Sequence, residues 1–245
     1  MMNSWESYLS EADRATLARG KWGQRIQPGA RPAVVSIDVQ NYMVGRRGEP
    51  DGAYPFSCGG IGWAAVDAAK EILAAARDAG APVLYTRFAL DAAGHEGGMF
   101  TRKVGKGVGE NAFLEGTRGA ELLAEIGPQP GDHVFTKKKV SAFFGTPLLS
   151  YLVDLQVDTV IVIGGSTSNC VRGTVVDASQ YNFRVLVPQE AVFDRIPLSH
   201  AVSLFDMNRT YADVLPTSEV VAYLRGIAEQ RAAGEATRAP ALLST

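Results

Sequence analysis

Short runs of β-branched and apolar residues alternate with helix-patterned stretches along nearly the whole chain. This alternation limits the fold more than any other feature. PAVVSID (Pro32 to Asp38), PVLYTRF (Pro82 to Phe88), HVFT (His133 to Thr136), DTVIVIG (Asp158 to Gly164) and FRVLVP (Phe183 to Pro188) each read as a strand, with a short sixth near Asp213 to Leu215. Trp63 to Ala79, Pro147 to Asp154, Ser168 to Tyr181, Ser199 to Arg209 and Ser218 to Gln230 read as helices. Strands joined through helices imply right-handed crossovers and a parallel sheet covered on both faces. The expected architecture is a three-layer, doubly wound α/β sheet of about six mainly parallel strands, in one domain over 1–245. A helical extension is expected over about 1–28. The tail over about 232–245, rich in Ala, Gly and Ser, reads as a mobile terminus or an arm onto a partner subunit. Leu90 to Gly119, rich in glycine, is an excursion of the length that functional loops reach.

Composition narrows the function classes. A net charge of −2 gives no basis for a nucleic-acid or anionic-membrane partner. Two cysteines, Cys58 and Cys170, make no disulfide framework and no zinc-binding C-x-x-C pair. No apolar run reaches the ~20 residues of a bilayer span, and the first residues lack the apolar centre of a signal peptide. The expectation is a cytoplasmic protein with no cofactor.

Open parallel sheets bind ligands outside the carboxyl ends of their strands. Asp38 closes the first strand, Lys137 the third; Cys170 follows the fourth, and Asp194 and Arg195 follow the fifth. Cys170 has the strongest local case. In GGSTSNCVRGTVVDA a strand ends in glycines, passes through small polar residues and meets the thiol near the first turn of a helix. Free N–H groups and the helix dipole there favour a thiolate and can hold an oxyanion. The competing reading is a buried structural cysteine. Asp38 fits a general base, or a solvated or capping carboxylate. Lys137 can pair with Asp38 and stabilise negative charge on sulfur; Lys138 and Lys139 read as solvated. Cys58 reads as a spectator with a pocket-lining role left open. His95, His133 and His200 lack a signature spacing. Asp91, His95 and Glu96 have no second histidine near, so no metal is expected.

These motifs resemble the isochorismatase-like cysteine hydrolases, and within them the N-carbamoylsarcosine amidohydrolase branch. The likeness runs from about Gly29 to Leu224, through RPAVVSIDVQNYM, FTKKKVSAFFGTPL, GGSTSNCVRGTVVDASQYNFRVLVP and VFDRIPLSHAVSLFDMNRTYADV. It implies a Rossmann-like fold and an Asp38–Lys137–Cys170 triad. It also implies a cis peptide at Gly165–Ser166 that sets the Ser166 N–H beside that of Cys170 as an oxyanion hole. Arg195 and Thr167 are implied substrate contacts, Arg195 holding a carboxylate. The implied activity is hydrolysis of a small carboxylate-bearing amide or N-carbamoyl compound through a thioester, releasing ammonia. Maleamate is an alternative substrate; a non-catalytic binding or regulatory member of the fold is an alternative of another class. Assembly as a homodimer or homotetramer is implied as well.

Overall fold

The computed structural model describes residues 5–48, 54, 56–93, 95–104 and 114–238. Seven strands form one sheet: β1 (Pro32–Ile37), β2 (Val83–Phe88), β3 (His133–Lys137), β4 (Thr159–Gly165), β5 (Arg184–Pro188), β6 (Val192–Phe193) and β7 (Asp213–Leu215). The order is β3-β2-β1-β4-β5-β7, every pairing is parallel, and β6 pairs with β4. β1 and β4 are neighbours in space but far apart in sequence, so the direction of winding reverses between them. At such a switch point the loops leave in opposite directions and open a crevice.

The helices are α1 (Glu11–Gly20), α2 (Asn41–Val44), α3 (Gly59–Asp78), α4 (Gly98–Val104), α5 (Leu148–Asp154), α6 (Arg172–Gln180), α7 (Pro197–Thr210) and α8 (Thr217–Arg238). Alternate residues of one strand feed opposite layers, as a period of two demands. In β4, Ile161 and Ile163 pack with α3 and α8, whereas Val160 and Val162 pack with α5, α6 and α7. All four are fully buried, each worth about 1.5–3 kcal/mol as removed apolar surface. Among the described residues, no helix is long and apolar enough to cross a membrane.

Three elements depart from the sequence expectation. The extension is α-helical only over Glu11–Gly20, where Ser10 and Asp13 form a capping box. Its onward segment is irregular and pinned to the sheet by side-chain acceptors: the Ile26 N–H donates to Asp213, and the Ala30 and Arg31 N–H groups to Asp158. The Leu90–Gly119 excursion contains α4. The tail expected from about 232 begins as helix, since α8 continues to Arg238; residues 239–245 lie outside the described residues.

Candidate active site

Asp38 follows β1 directly, and its φ of 49° turns the chain out of the sheet. Asp is among the few side-chain-bearing residues that tolerate this region. Its carboxylate is buried and held on both oxygens. Thr86, in β2 opposite Ile37, donates from Oγ1 to Asp38 Oδ1 at 2.6 Å and accepts the Asp38 N–H at 3.1 Å. The ammonium of Lys137, the last residue of β3, lies 2.7 Å from Asp38 Oδ2.

Lys137 is fully buried. Besides the ion contact with Asp38, its Nζ donates to Cys170 Sγ at 3.3 Å and to the Lys139 carbonyl at 3.0 Å. The Phe88 ring lies 4.9 Å beneath it. Burial alone would lower this lysine's proton affinity, but the Asp38 carboxylate and the Cys170 sulfur outweigh it, and Lys137 is held above the ordinary lysine value. Acid, lysine and thiol therefore meet at one point, reached from the ends of β1, β3 and β4.

Cys170 sits in a π-helical turn, Thr167–Val171, that widens the entry to α6. The N–H groups of Asn169 and Val171 both donate to the Ser166 carbonyl. Upstream, Gly164 has a φ of 106°, and a Cβ there would overlap the Ile37 carbonyl. Only glycine lets β4 approach β1 this closely at the switch point. The Gly165–Ser166 peptide is cis. Burial opposes the thiolate that the helix N-terminus is expected to favour. Burial pushes the Cys170 thiol up, to about 12, against the opposing pull of Lys137. The Lys137 ammonium stands beside the sulfur and the Asp38 carboxylate beside that ammonium.

These groups open into a cavity of about 240 Å³. Asp38, Ser166, Ser168, Asn169 and Cys170 line its reactive side; Tyr42, Met43, Phe56, Phe88, Phe100, Val104 and Val140 form a mostly apolar wall. Arg195 stands at the rim. Its guanidinium donates to Ser166 Oγ at 2.9 Å and to Met43 Sδ at 3.0 Å, and lies over the Phe56 ring at 5.7 Å. Among the described residues it has no carboxylate partner. The neighbouring Asp194 is occupied otherwise: Oδ1 accepts the Arg195 N–H and Oδ2 the Ser168 N–H, both at 2.8 Å.

Thr167 is placed elsewhere than expected. It is fully buried, its hydroxyl shares a 2.9 Å hydrogen bond with His200 Nδ1, and it does not line the cavity. The π turn rotates it toward α7 while Ser166 and Cys170 face the pocket. Lys138 and Lys139 are not free solvated charges. Lys138 pairs with Glu96 at 2.6 Å, and Lys139 donates to the Glu96 carbonyl at 2.9 Å, tying the segment before α4 to the end of β3. Glu96 is thereby committed, and His95 is exposed, 3.9 Å from Asp91. No group of three metal-ligating side chains clusters among the described residues. Cys58 is packed against Met43, α2 and α3, away from the cavity lining. His133 stacks on Tyr151 at the far end of the sheet.

Residues 32–219 match the isochorismatase domain model. The chain belongs to the isochorismatase family. Among curated relatives, maleamate amidohydrolase of Pseudomonas putida is 37% identical over 86% of this chain and 94% of its own length. N-carbamoylsarcosine amidase of an Arthrobacter species is 33% identical over 82% of this chain and 74% of its own. Among solved structures, N-carbamoylsarcosine amidase from Thermoplasma acidophilum superposes with a TM-score of 0.62 at 28% identity, covering 76% of this chain and 96% of that one. Membership in the isochorismatase family agrees with the resemblance carried by the strand-end motifs, and with the three-layer parallel architecture.

Proposed function

We propose that this chain hydrolyses the C–N bond of a small, carboxylate-bearing amide or N-carbamoyl compound, with Cys170 as nucleophile. The observation that carries the reading is the Lys137 ammonium in contact with both the Asp38 carboxylate and the Cys170 sulfur at the floor of a small cavity. Burial pushes the Cys170 thiol up, so a proton acceptor beside it favours attack. Asp38 takes the Sγ proton as sulfur bonds to the amide carbon, and Lys137 steadies the negative charge. The carbonyl oxygen becomes an oxyanion received by the N–H groups of Ser166 and Cys170. Asp38 passes its proton to the leaving nitrogen, the C–N bond breaks, ammonia departs and a thioester remains. Water then attacks the thioester while Asp38 takes its proton, the C–S bond breaks, and the proton returns to sulfur.

Arg195, cationic and without a carboxylate partner among the described residues, is the substrate-carboxylate contact in this reading. An N-carbamoylsarcosine-like compound satisfies it. Maleamate satisfies it too. Both have a linker without an internal N–H, which suits the apolar wall better than a carbamoyl amino acid with a secondary nitrogen, whose N–H facing Phe88, Phe100 and Val140 would lose its hydrogen bond to water. The relative named for maleamate points the same way.

The test is ammonia release from N-carbamoylsarcosine, other carbamoyl amino acids, maleamate, nicotinamide and biuret. Wild type should act on a carboxylated substrate; Cys170→Ala should be inactive, and Arg195→Ala should raise KM by about 1.5–3 kcal/mol of lost charged hydrogen bonding, roughly 10- to 150-fold. Residual turnover by Cys170→Ala would sink the nucleophile assignment, and an unchanged KM in Arg195→Ala the carboxylate contact. Self-association as a homodimer or homotetramer belongs to the same proposal. Ile196 at the cavity, with Leu198 and Val202 on α7, are exposed apolar side chains that support it, and a monomer mass by light scattering would refute it. A cytoplasmic setting suits an enzyme that depends on a free thiol.

A further inference from the structure

The two oxygens of Asp38 have unequal surroundings. Oδ2 faces the Lys137 ammonium at 2.7 Å. Oδ1 is taken by one side chain, Thr86, whose hydroxyl donates to it at 2.6 Å and accepts the N–H of the same residue at 3.1 Å. Thr86 is fully buried in β2 and does not line the cavity, so no substrate reaches it. A buried hydroxyl costs free energy unless its hydrogen bonds are met. Valine would fill this place with the same shape and a higher strand preference. Here both the donor and one acceptor of the hydroxyl are spent on Asp38.

We infer that Thr86 is a positioning residue for the proton-transferring carboxylate. With Oδ1 tied to β2 and Oδ2 beside Lys137, Asp38 can rotate about neither χ angle without breaking a contact. Its free lone pair on Oδ2 stays directed at the site where the Cys170 proton must go. The backbone arm of the same hydroxyl steadies the turn at φ 49°, which starts the side chain on the correct side of β1. Without the hydroxyl, Oδ1 and the Asp38 N–H would both be buried without that partner, and the carboxylate would gain a second orientation. Holding a proton acceptor within narrow limits is what separates an efficient base from a nearby one.

The inference rests on the reading of Asp38 as the base, so the experiment carries a variant for each. Thr86→Val, Thr86→Ser, Asp38→Asn and wild type are compared by ammonia release from whichever of maleamate and N-carbamoylsarcosine the wild type turns over. A substrate-independent arm follows the rate of Cys170 alkylation by iodoacetamide at pH 7. In Thr86→Val, kcat and the alkylation rate should fall about 10- to 100-fold with KM within about twofold, and Thr86→Ser should recover to within about threefold of wild type. A purely structural threonine would lower the melting temperature and the active fraction, as counted by total Cys170 labelling, without this split or this rescue. If Thr86→Val does not fold, Thr86→Ala is read by the same criteria. Wild-type kcat in the folded Val or Ala variant, or a serine variant as slow as the valine one, would overturn the role of Thr86. Activity retained in Asp38→Asn would overturn the base assignment instead.

Discussion

Lys137 is fully buried between an acid that it ion-pairs and a thiol and a backbone carbonyl to which it donates. Two predictions follow from that commitment. Lys137→Met leaves the Asp38 charge buried and uncompensated, and should lower urea-unfolding stability by about 3–5 kcal/mol as well as ending turnover. Lys137→Arg should not rescue either property, because a planar guanidinium cannot point three donors from one atom. The thiol gives a pH signature. With Cys170 raised to about 12 by burial, its alkylation rate should lack the rise near pH 8.5 that an ordinary cysteine shows. The profile is read after subtracting the Cys170→Ala protein, which retains Cys58. A step near pH 8–9 would mean that Lys137 prevails over burial. At this scale the meeting of Asp38, Lys137 and Cys170 was legible because each stands at, or one turn beyond, the carboxyl end of a strand. Thr86 was not, since a threonine inside VLYTRF looks like any strand former, and only the register opposite Ile37 brings its hydroxyl to Asp38.

Elements supply the angles at which those residues meet. Gly164→Ala would force a Cβ into the Ile37 carbonyl at a φ of 106°. Backbone strain of about 1–2 kcal/mol then adds to a forced separation of β1 from β4. The expected result is a melting temperature lower by more than about 5 °C and a thiol displaced from Lys137. The segment before α4 depends on charge instead. The Lys138 contact holds the Glu96 carboxyl below its ordinary range. Glu96→Gln should loosen Phe100 and Val104 at the cavity wall and raise KM while leaving kcat nearly unchanged; an equal fall in kcat would show that the segment also aligns the triad. The long strands and helices were readable from periodicity. The two-residue β6 and the four-residue α2 were not, because elements that short have too few residues to show a period; the seven-residue α4 was hidden by the glycine-rich stretch around it.

The whole molecule joins two apolar layers through one sheet, and its acid stability depends on polar groups at the seams. His200, on α7, is held below its ordinary value chiefly by burial, against a smaller opposing pull from Asp194. Below about pH 6.5 the unfolded chain takes up a proton that the folded chain refuses, so stability should decline as pH falls from 7 toward the folded value. His200→Gln should flatten that decline in the urea midpoint between pH 7 and 5. At Asp158, burial would raise the carboxyl, but the N–H groups of Arg31 and Ala30 and the Thr159 hydroxyl outweigh it and hold it low. Its contribution is present above about pH 4 and lost at lower pH. The family and layer order were legible in the sequence because they rest on many residues at once. The far wall of the pocket was not, since Phe56, Phe88 and Phe100 come from three separate segments and share no spacing.

The lysine run at the end of β3 has one further consequence. Lys137 faces Asp38 and Cys170, whereas Lys138 and Lys139 grip the segment that brings Phe100 and Val104 to the pocket. If the proposed roles hold, reactivity and selectivity sit on parts that can be exchanged separately. A library that varies Met99 to Val104 while keeping Glu96 and the three lysines should yield catalysts with altered substrate range and an intact thiol centre. A lineage retaining the strand ends could explore new amides by the same route, one outer segment at a time.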